Sequence, residues 1–175
     1  GNPWLALAVM FIGVIFYIIT DITFKRLIAR WVTAFGFAIT FMFMLSQLRF
    51  SSTAIGIALM VLALVYLIGG YAIEQRAGQR SAAWPLYAAG YAIAAFVTIQ
   101  TLVVVGEDPG DLALTLIVDV ILLAVSAWVH RQYNWIYGAT WVFIAPVFIY
   151  ASLYLRGHVN QGLVLGVLML NYVAA

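Results

Sequence analysis

Residues 51–106, SSTAIGIALMVLALVYLIGGYAIEQRAGQRSAAWPLYAAGYAIAAFVTIQTLVVVG, decide the fold. This stretch holds an apolar run at 52–73, a short loop with Arg76 and Arg80, and a second apolar run at 81–105. Each run exceeds the roughly 20 residues that a helix needs to cross the hydrocarbon core of a bilayer. Because backbone amides cannot remain unpaired in hydrocarbon, both runs are predicted to be helices that form a membrane-spanning hairpin.

The composition of the whole chain agrees with this hairpin. Hydrophobic residues make up 66% of the 175 positions and charged residues 8%, against about 45–50% and about 25% in ordinary soluble domains. This balance excludes a water-soluble fold and a nucleic-acid-binding surface, and it makes membrane lipids the first predicted partner. The chain has no cysteine, so disulfides and thiolate metal sites are excluded.

The apolar runs are separated by short polar segments and predict an all-α, polytopic transmembrane bundle of about seven helices. The runs are 4–20, 31–48, 52–73, 81–105, 112–129, 135–155 and 161–175. The last run has 15 residues and would span only about 22 Å of a core about 30 Å thick. We therefore expect the natural protein to continue past Ala175.

Three tryptophans suggest an internal repeat. Trp31, Trp84 and Trp135 each follow a basic loop and open an outgoing run, at spacings of 53 and 51 residues. This period predicts two-helix hairpin repeats of about 50 residues within a single transmembrane domain. The alternative is that tryptophan simply favours membrane interfaces. The predicted hairpins are 1–50, 51–107, 108–157 and the start of a fourth at 158–175.

The basic residues predict an orientation. The loops after the first, third and fifth runs carry Lys25, Arg26, Arg30, Arg76, Arg80 and Arg131, whereas the opposite loops carry only Arg49 and Arg156. Because basic loops are retained in the cytoplasm, the amino end is predicted to lie outside, in a bacterial-type plasma membrane.

Asp119 is the ionisable residue deepest inside an apolar run, about eight residues or roughly 12 Å from the outer end. A charge there costs about 2.5–3.5 kcal/mol on insertion scales, so Asp119 is expected to face other helices or to stay protonated. Thr115 and Ser126 share its helical face. Asn171, at a similar depth in the seventh run, is its predicted hydrogen-bond partner. This intramembrane polar site is predicted to have one of two roles. It is either a relay for protons or cations, or a hydrogen bond that joins helices.

The prolines mark local structure. Pro146 lies in the middle of the sixth run, where it removes a backbone hydrogen bond and is predicted to kink the helix. Pro109 and Gly110 predict a turn, with Asp111 capping the next helix. Pro85 suits the start of the fourth helix.

The remaining polar residues point to structural roles. The acidic segment Glu107, Asp108 and Asp111 lacks the spacing of a calcium loop, so a capped turn is expected. His130 and His158 lie at opposite membrane faces in this topology and cannot share a metal. His130, beside Trp128, is either a ligand of a pigment metal or an ordinary interfacial histidine. Asp21 and Lys25 are spaced as an i, i+4 ion pair.

Seven spans with an external amino end form a layout that is similar to that of the rhodopsins. That family holds retinal on a lysine of the seventh helix, whereas the only lysine here is Lys25. No nucleophile with a base, no paired carboxylates and no phosphate loop are visible, so no catalytic residue or metal ligand is predicted and the cofactor stays unassigned.

The sequence thus favours a non-catalytic structural or assembly subunit of a larger membrane complex, with other membrane subunits or further copies of itself as partners. The first alternative is a solute transporter or ion-coupled channel that uses Asp119. The second is a membrane enzyme or pigment carrier whose chemistry resides in a bound molecule. A hydrated cavity at Asp119 would favour the first alternative, and a group bound beside His130 the second.

The charge distribution makes a topology prediction. A single cysteine placed at Arg76 is expected to resist a membrane-impermeant maleimide added to intact cells and to react after lysis, because its loop is predicted to be cytoplasmic. The cysteine-free chain supplies a clean background, and a cysteine at Arg49 is the matched control for the opposite side. Labelling at Arg76 in intact cells would reverse the orientation.

Overall fold

The computed structural model describes residues 3–24, 26–104 and 109–154, together with Gly162 and Gly166. Within these residues the protein is all-helical, with no residue in a strand. Its helices are α1 (Pro3–Phe24), α2 (Leu27–Gln47), α3 (Ser52–Ala77), α4 (Arg80–Val104), α5 (Pro109–His130) and α6 (Asn134–Tyr154). All six are long and apolar enough to cross a membrane. The all-α prediction is confirmed, whereas the run 161–175, apart from two glycines, lies outside the described residues.

The ends of α3 follow the capping rules. The side chain of Ser51 accepts a hydrogen bond from the backbone N–H of Ala54 at 3.2 Å, which satisfies one of the unpaired donors at the helix start. Gly78 adopts a left-handed conformation with φ of 65°, and its N–H donates to the carbonyl of Glu74 at 2.9 Å. A side chain is disfavoured at that φ, so Gly78 stops the helix and turns the chain toward α4.

The end of α2 uses an arginine where a glycine is usual. Arg49 has a φ of 58° and donates its N–H to the carbonyl of Ser46 at 3.0 Å, while the N–H of Phe50 reaches the carbonyl of Leu45 at 3.2 Å. These two bonds form the Schellman arrangement that pairs the last carbonyls of a helix. The positive φ at a non-glycine residue carries a modest steric cost.

Two local expectations need correction. Pro109, Gly110 and Asp111 all lie within the first turn of α5, so they do not form a turn before it. The missing N–H of proline costs nothing at that position, because the first N–H groups of a helix have no partner inside it. Pro85 lies farther inside α4 than expected, since this helix already begins at Arg80.

The chain divides into two compact units. The first unit, Gly1–Val97, contains α1, α2, α3 and most of α4; the second unit, Thr98–Ala175, contains the end of α4 with α5 and α6. In the second unit α5 packs along α6, with Ser126 and Pro146 buried. The hairpin repeats and the single-domain assignment stay predictions.

Close packing of α3 against α4 forms the centre of the first unit. A Cβ added at Gly90 would lie 3.0 Å from the carbonyl oxygen of Ala63, and one at Gly70 would lie 2.7 Å from the ring of Tyr87. Tyr87 and Ala63 are completely buried. Five of the buried residues of α4 recur at alternating steps of four and three, the spacing of a coiled-coil seam. They are Ala83, Tyr87, Gly90, Ala94 and Val97.

α2 and α1 pack outside this pair. The hydroxyl of Tyr66 on α3 donates to the backbone carbonyl of Ala34 on α2 at 2.6 Å, in a buried position. α1 contacts α2 but buries only Leu7 and Val14. α3 is therefore the most enclosed element of the first unit, and α1 is largely exposed.

The contact of Gly70 with Tyr87 predicts a difference between two adjacent glycines. Gly70→Ala is expected to lower the free energy of unfolding by about 1–3 kcal/mol, because the new methyl group overlaps a buried ring. Gly69→Ala is the control, since a Cβ there meets nothing within 4 Å, and it is expected to be neutral or slightly stabilising. Unfolding of both variants in mild detergent measures the difference, and equal stabilities would contradict the packing.

Candidate functional site

The predicted intramembrane polar site lies on α5. Thr115 and Ser126 are buried, with 9% and 0% of their surface exposed, and Asp119 is half-buried. Thr115 donates to the carbonyl of Asp111 at 2.9 Å, and Ser126 donates to that of Leu122 at 2.7 Å. Hydroxyls of Ser and Thr commonly bond to the carbonyl four residues earlier in a helix. These described bonds stay within α5.

Asp119 has a partner that the sequence analysis missed. The hydroxyl of Thr98 donates to Oδ2 of Asp119 at 2.6 Å, which joins the end of α4 to α5 within the second unit. A signal existed, because Thr98 lies seven positions before the end of its apolar run, 81–105, and Asp119 lies seven positions after the start of the next run, 112–129. Asn171, the predicted partner, lies outside the described residues. The observed contact is a hydrogen bond between helices with a neutral donor.

Pro146 is enclosed by the protein. α6 continues through it from Asn134 to Tyr154, and the residue is buried. Because proline lacks an N–H, the carbonyl of Val142 loses its usual helical donor. The kink itself stays a prediction.

A second polar cluster lies at one end of the first unit. The Nε and Nη2 atoms of Arg30 donate to the two carboxylate oxygens of Asp21 at 2.8 and 2.9 Å, which makes a bidentate ion pair. Nη1 of Arg30 donates to the backbone carbonyl of Ala82 at 2.6 Å. A single guanidinium thus connects the end of α1, the start of α2 and the start of α4.

Helix electrostatics explain this pair. Asp21 lies in the last turn of α1 and Arg30 in the first turn of α2, where each charge has the unfavourable sign for the nearby helix dipole. Pairing offsets both effects, and the planar guanidinium fits a carboxylate with two parallel bonds. The side chains of Arg30 and Asp21 are 21% and 19% exposed, so solvent screens the pair only in part.

The sequence pattern suggested a different partner for Asp21. The i, i+4 spacing favoured Lys25, which lies outside the described residues, whereas the described partner is nine residues away across a tight turn. The predicted hairpin of α1 and α2 was the signal that could have identified Arg30 as the partner of Asp21. In two antiparallel helices with a short connection, residues at equal distances from the turn lie opposite each other.

A cavity opens beside this pair. It has a volume of about 530 Å³ and lies at the end of the first unit where α1 and α3 end and α2 and α4 begin. The lining combines polar and apolar side chains: Asp21, Ile22, Leu27, Arg30, Ile73, Ala77, Gln79, Ser81 and Ala82. Pro85 on α4 is buried and has no N–H to donate to the carbonyl of Ser81.

A hydrogen bond between α3 and α4 lies nearby. The hydroxyl of Tyr87 donates to Oε2 of Glu74 at 2.8 Å. Glu74 lies one turn after Gly70, whose missing side chain makes room for the Tyr87 ring. The bond therefore fixes the position of the ring in the space that glycine leaves.

His130 does not belong to a metal cluster within the described residues. Its ring lies 5.7 Å from the ring of Trp135, and the described ranges contain no group of three His, Cys, Asp or Glu residues placed to hold a metal ion. His158, Glu107 and Asp108 lie outside those ranges.

Comparisons with known proteins give no family for the chain. Neither a protein-family model, nor a curated protein, nor a solved structure matches it.

The bidentate pair generates a prediction about stability. Arg30→Lys keeps the positive charge but loses the two parallel bonds, and it is expected to lower the free energy of unfolding by about 1–3 kcal/mol. Arg26→Lys is the matched control, because Arg26 is exposed and changes at exposed sites are usually within about 0.5 kcal/mol.

A double-mutant cycle with Asp21→Asn completes the measurement. The effects of Asp21→Asn and Arg30→Lys are expected to be non-additive, since both weaken the same bidentate contact. Additive effects, or an Arg30→Lys variant as stable as Arg26→Lys, would contradict the ion pair.

Proposed function

We propose that the chain is a polytopic integral membrane protein that acts as a non-catalytic structural or assembly subunit of a larger membrane complex. The observation that carries the proposal is the extent of exposed apolar surface on helices that are long enough to span a bilayer. In α1, only Leu7 and Val14 of the 22 residues are buried inside the protein. The other side chains of such a helix must face lipid or another protein.

The aromatic side chains of α6 favour a protein partner. Tyr137, Trp141, Phe143 and Phe148 are all exposed, Trp141 by 67% and Phe148 by 52%. Trp and Tyr at helix ends suit the lipid interface, but Trp141, Phe143 and Phe148 lie in the middle of α6. Tyr137, Trp141 and Phe148 lie on one face of α6, at spacings of four and seven residues, and exposed aromatic side chains grouped in this way are typical of the centres of protein interfaces.

The contact at Asp119 supports a structural role for the polar site. Its described partner is a hydroxyl on another helix, as expected for a hydrogen bond that holds helices together in lipid. On this reading Thr98 and Asp119 stabilise the second unit, and no described residue is required to act as a catalyst.

The proposal includes an orientation and a wider architecture. The amino end lies outside a bacterial-type plasma membrane, and the loops at Lys25, Arg76 and Arg131 are cytoplasmic, because basic residues concentrate there. The chain contributes seven helices as repeated hairpins, with the run 161–175 as the seventh. Partners are other membrane subunits or further copies of the chain.

The assembly role predicts the effect of an aromatic substitution on α6. Trp141→Leu keeps the span apolar but removes a large exposed ring, and it is expected to weaken association by about 2 kcal/mol, roughly 30-fold. We propose that α1, which has no tryptophan in the middle of its span, faces lipid, so Phe16→Leu is the control, since this ring is 62% exposed. The mass of particles extracted from native membrane with their lipids reports association. The proposal would be refuted if the wild-type particles contained one copy of the chain with lipid and no other protein.

A transporter or ion-coupled channel that uses Asp119 is the second candidate. The favouring observation is that the described partner of this intramembrane acid, Thr98, is neutral and offers no opposite charge. Ionisable residues inside spans commonly mark ion or proton pathways.

Asp119→Asn separates the two candidates. An amide can still accept the bond from Thr98, so a structural role predicts unchanged folding and assembly, whereas a relay loses proton or solute flux because asparagine cannot release a proton. Thr98→Val removes the bond but keeps the carboxyl group, and Thr115→Val, whose described bond stays within α5, is its control. Flux in liposomes that is present in wild type and abolished in a folded Asp119→Asn variant would favour the transporter.

A further inference from the structure

We infer that the cavity beside Arg30 and Asp21 is a binding site for the headgroup of an anionic phospholipid. The inference requires that the chain lies in a bilayer, and it is independent of the proposed role as a subunit. The position of the cavity, the chemistry of its lining and the charge around it all fit such a headgroup.

The position of the cavity corresponds to the lipid interface. Its lining residues come from the last turn of α1, the last two turns of α3, the connection that follows α3 and the start of α2 and α4. Spanning helices end where the hydrocarbon core meets the headgroups. The volume of about 530 Å³ falls in the range of about 300–1,000 Å³ that is usual for small-molecule sites.

The lining is amphipathic. Ile22, Leu27 and Ile73 supply an apolar wall on which the glycerol backbone and upper acyl chains of a lipid can pack. Arg30 and Gln79 supply donors for phosphate oxygens. The described bonds of Arg30 use three of its N–H groups, and a guanidinium has five.

The same lining also offers acceptors. The carboxylate of Asp21 and the carbonyl of Ser81, which Pro85 cannot pair, can accept hydrogen bonds from the hydroxyl groups of a glycerol headgroup. Inorganic phosphate carries its O–H donors on the same centre as its acceptor oxygens, whereas a glycerol headgroup places its hydroxyls several bonds away from the phosphate. The lining therefore fits a phosphate that carries a polyol better than it fits inorganic phosphate.

The surrounding charge favours an anionic ligand. Among the described residues, this end of the first unit carries four arginines against the carboxylates of Asp21 and Glu74, an excess of two positive charges. Arg26, Arg76 and Arg80 are exposed, and each is adjacent in sequence to a lining residue. Basic clusters next to pockets between spanning helices attract anionic headgroups, with about 1 kcal/mol, or roughly fivefold in affinity, for each basic residue.

Native mass spectrometry of the full chain in neutral detergent tests the inference. Phosphatidylglycerol is expected to bind at least about tenfold more tightly than phosphatidylcholine with the same acyl chains, because the two lipids differ in net charge. The variant Arg26→Gln/Arg76→Gln is expected to lose about fivefold in affinity for each arginine. Arg49→Gln removes one charge at the opposite end of α2 and is expected to change the affinity less than twofold.

A second pair of variants distinguishes the cavity from general surface attraction. Ala77→Trp places an indole ring in the lining at an exposed position. It is expected to weaken phosphatidylglycerol binding at least about tenfold, because the ring occupies space that the headgroup needs. Ala72→Trp, exposed on the same helix outside the lining, is expected to bind like wild type. The thermal midpoint of each variant confirms that it is folded.

Three results would overturn the inference. Equal binding of the two lipids would remove the role of charge, and unchanged binding by Ala77→Trp would remove the cavity. If glycerol phosphate, which has no acyl chains, bound as tightly as the lipid, the cavity would be a site for a soluble phosphate.

Discussion

The structure depends on one constraint, which is that a backbone in hydrocarbon must pair its own N–H and C=O groups. This makes each apolar run a helix, but it gives the helices no hydrophobic reason to associate, because lipid tails are as apolar as leucine. Association must then come from close contact and from a few hydrogen bonds. In the first unit the contact is at Gly70 and Gly90, and the bonds are those of Arg30, Tyr66 and Tyr87.

This constraint also explains how much of the fold the sequence predicts. The existence and type of the six described helices follow from apolar length alone. Helix ends are less certain, because they depend on local geometry that residue type does not determine. Arg49 takes the left-handed position that usually belongs to glycine, and Pro109 and Gly110 lie within a helix although their sequence is typical of a turn.

The polar contacts are harder to predict than the helices. Depth along an apolar run identified Asp119 as an intramembrane acid, but depth alone could not select Thr98 from the other polar residues near that level. Spacing along one helix suggested Lys25 for Asp21, whereas the bond to Arg30 depends on the register of two helices across a turn. Such contacts are set by packing between elements, which a single sequence does not specify.

Tyr87 and Gly70 also prevent α3 and α4 from sliding along each other. The ring occupies the space beside a glycine while its hydroxyl is held by Glu74 one turn away, so sliding by one helical turn would break the bond and drive the ring against a side chain. The connection between α3 and α4 has only two residues, Gly78 and Gln79, and therefore restricts the movement of the two joined helix ends. α3 and α4 are thus expected to enter the bilayer together during biosynthesis and to move afterwards as one rigid body.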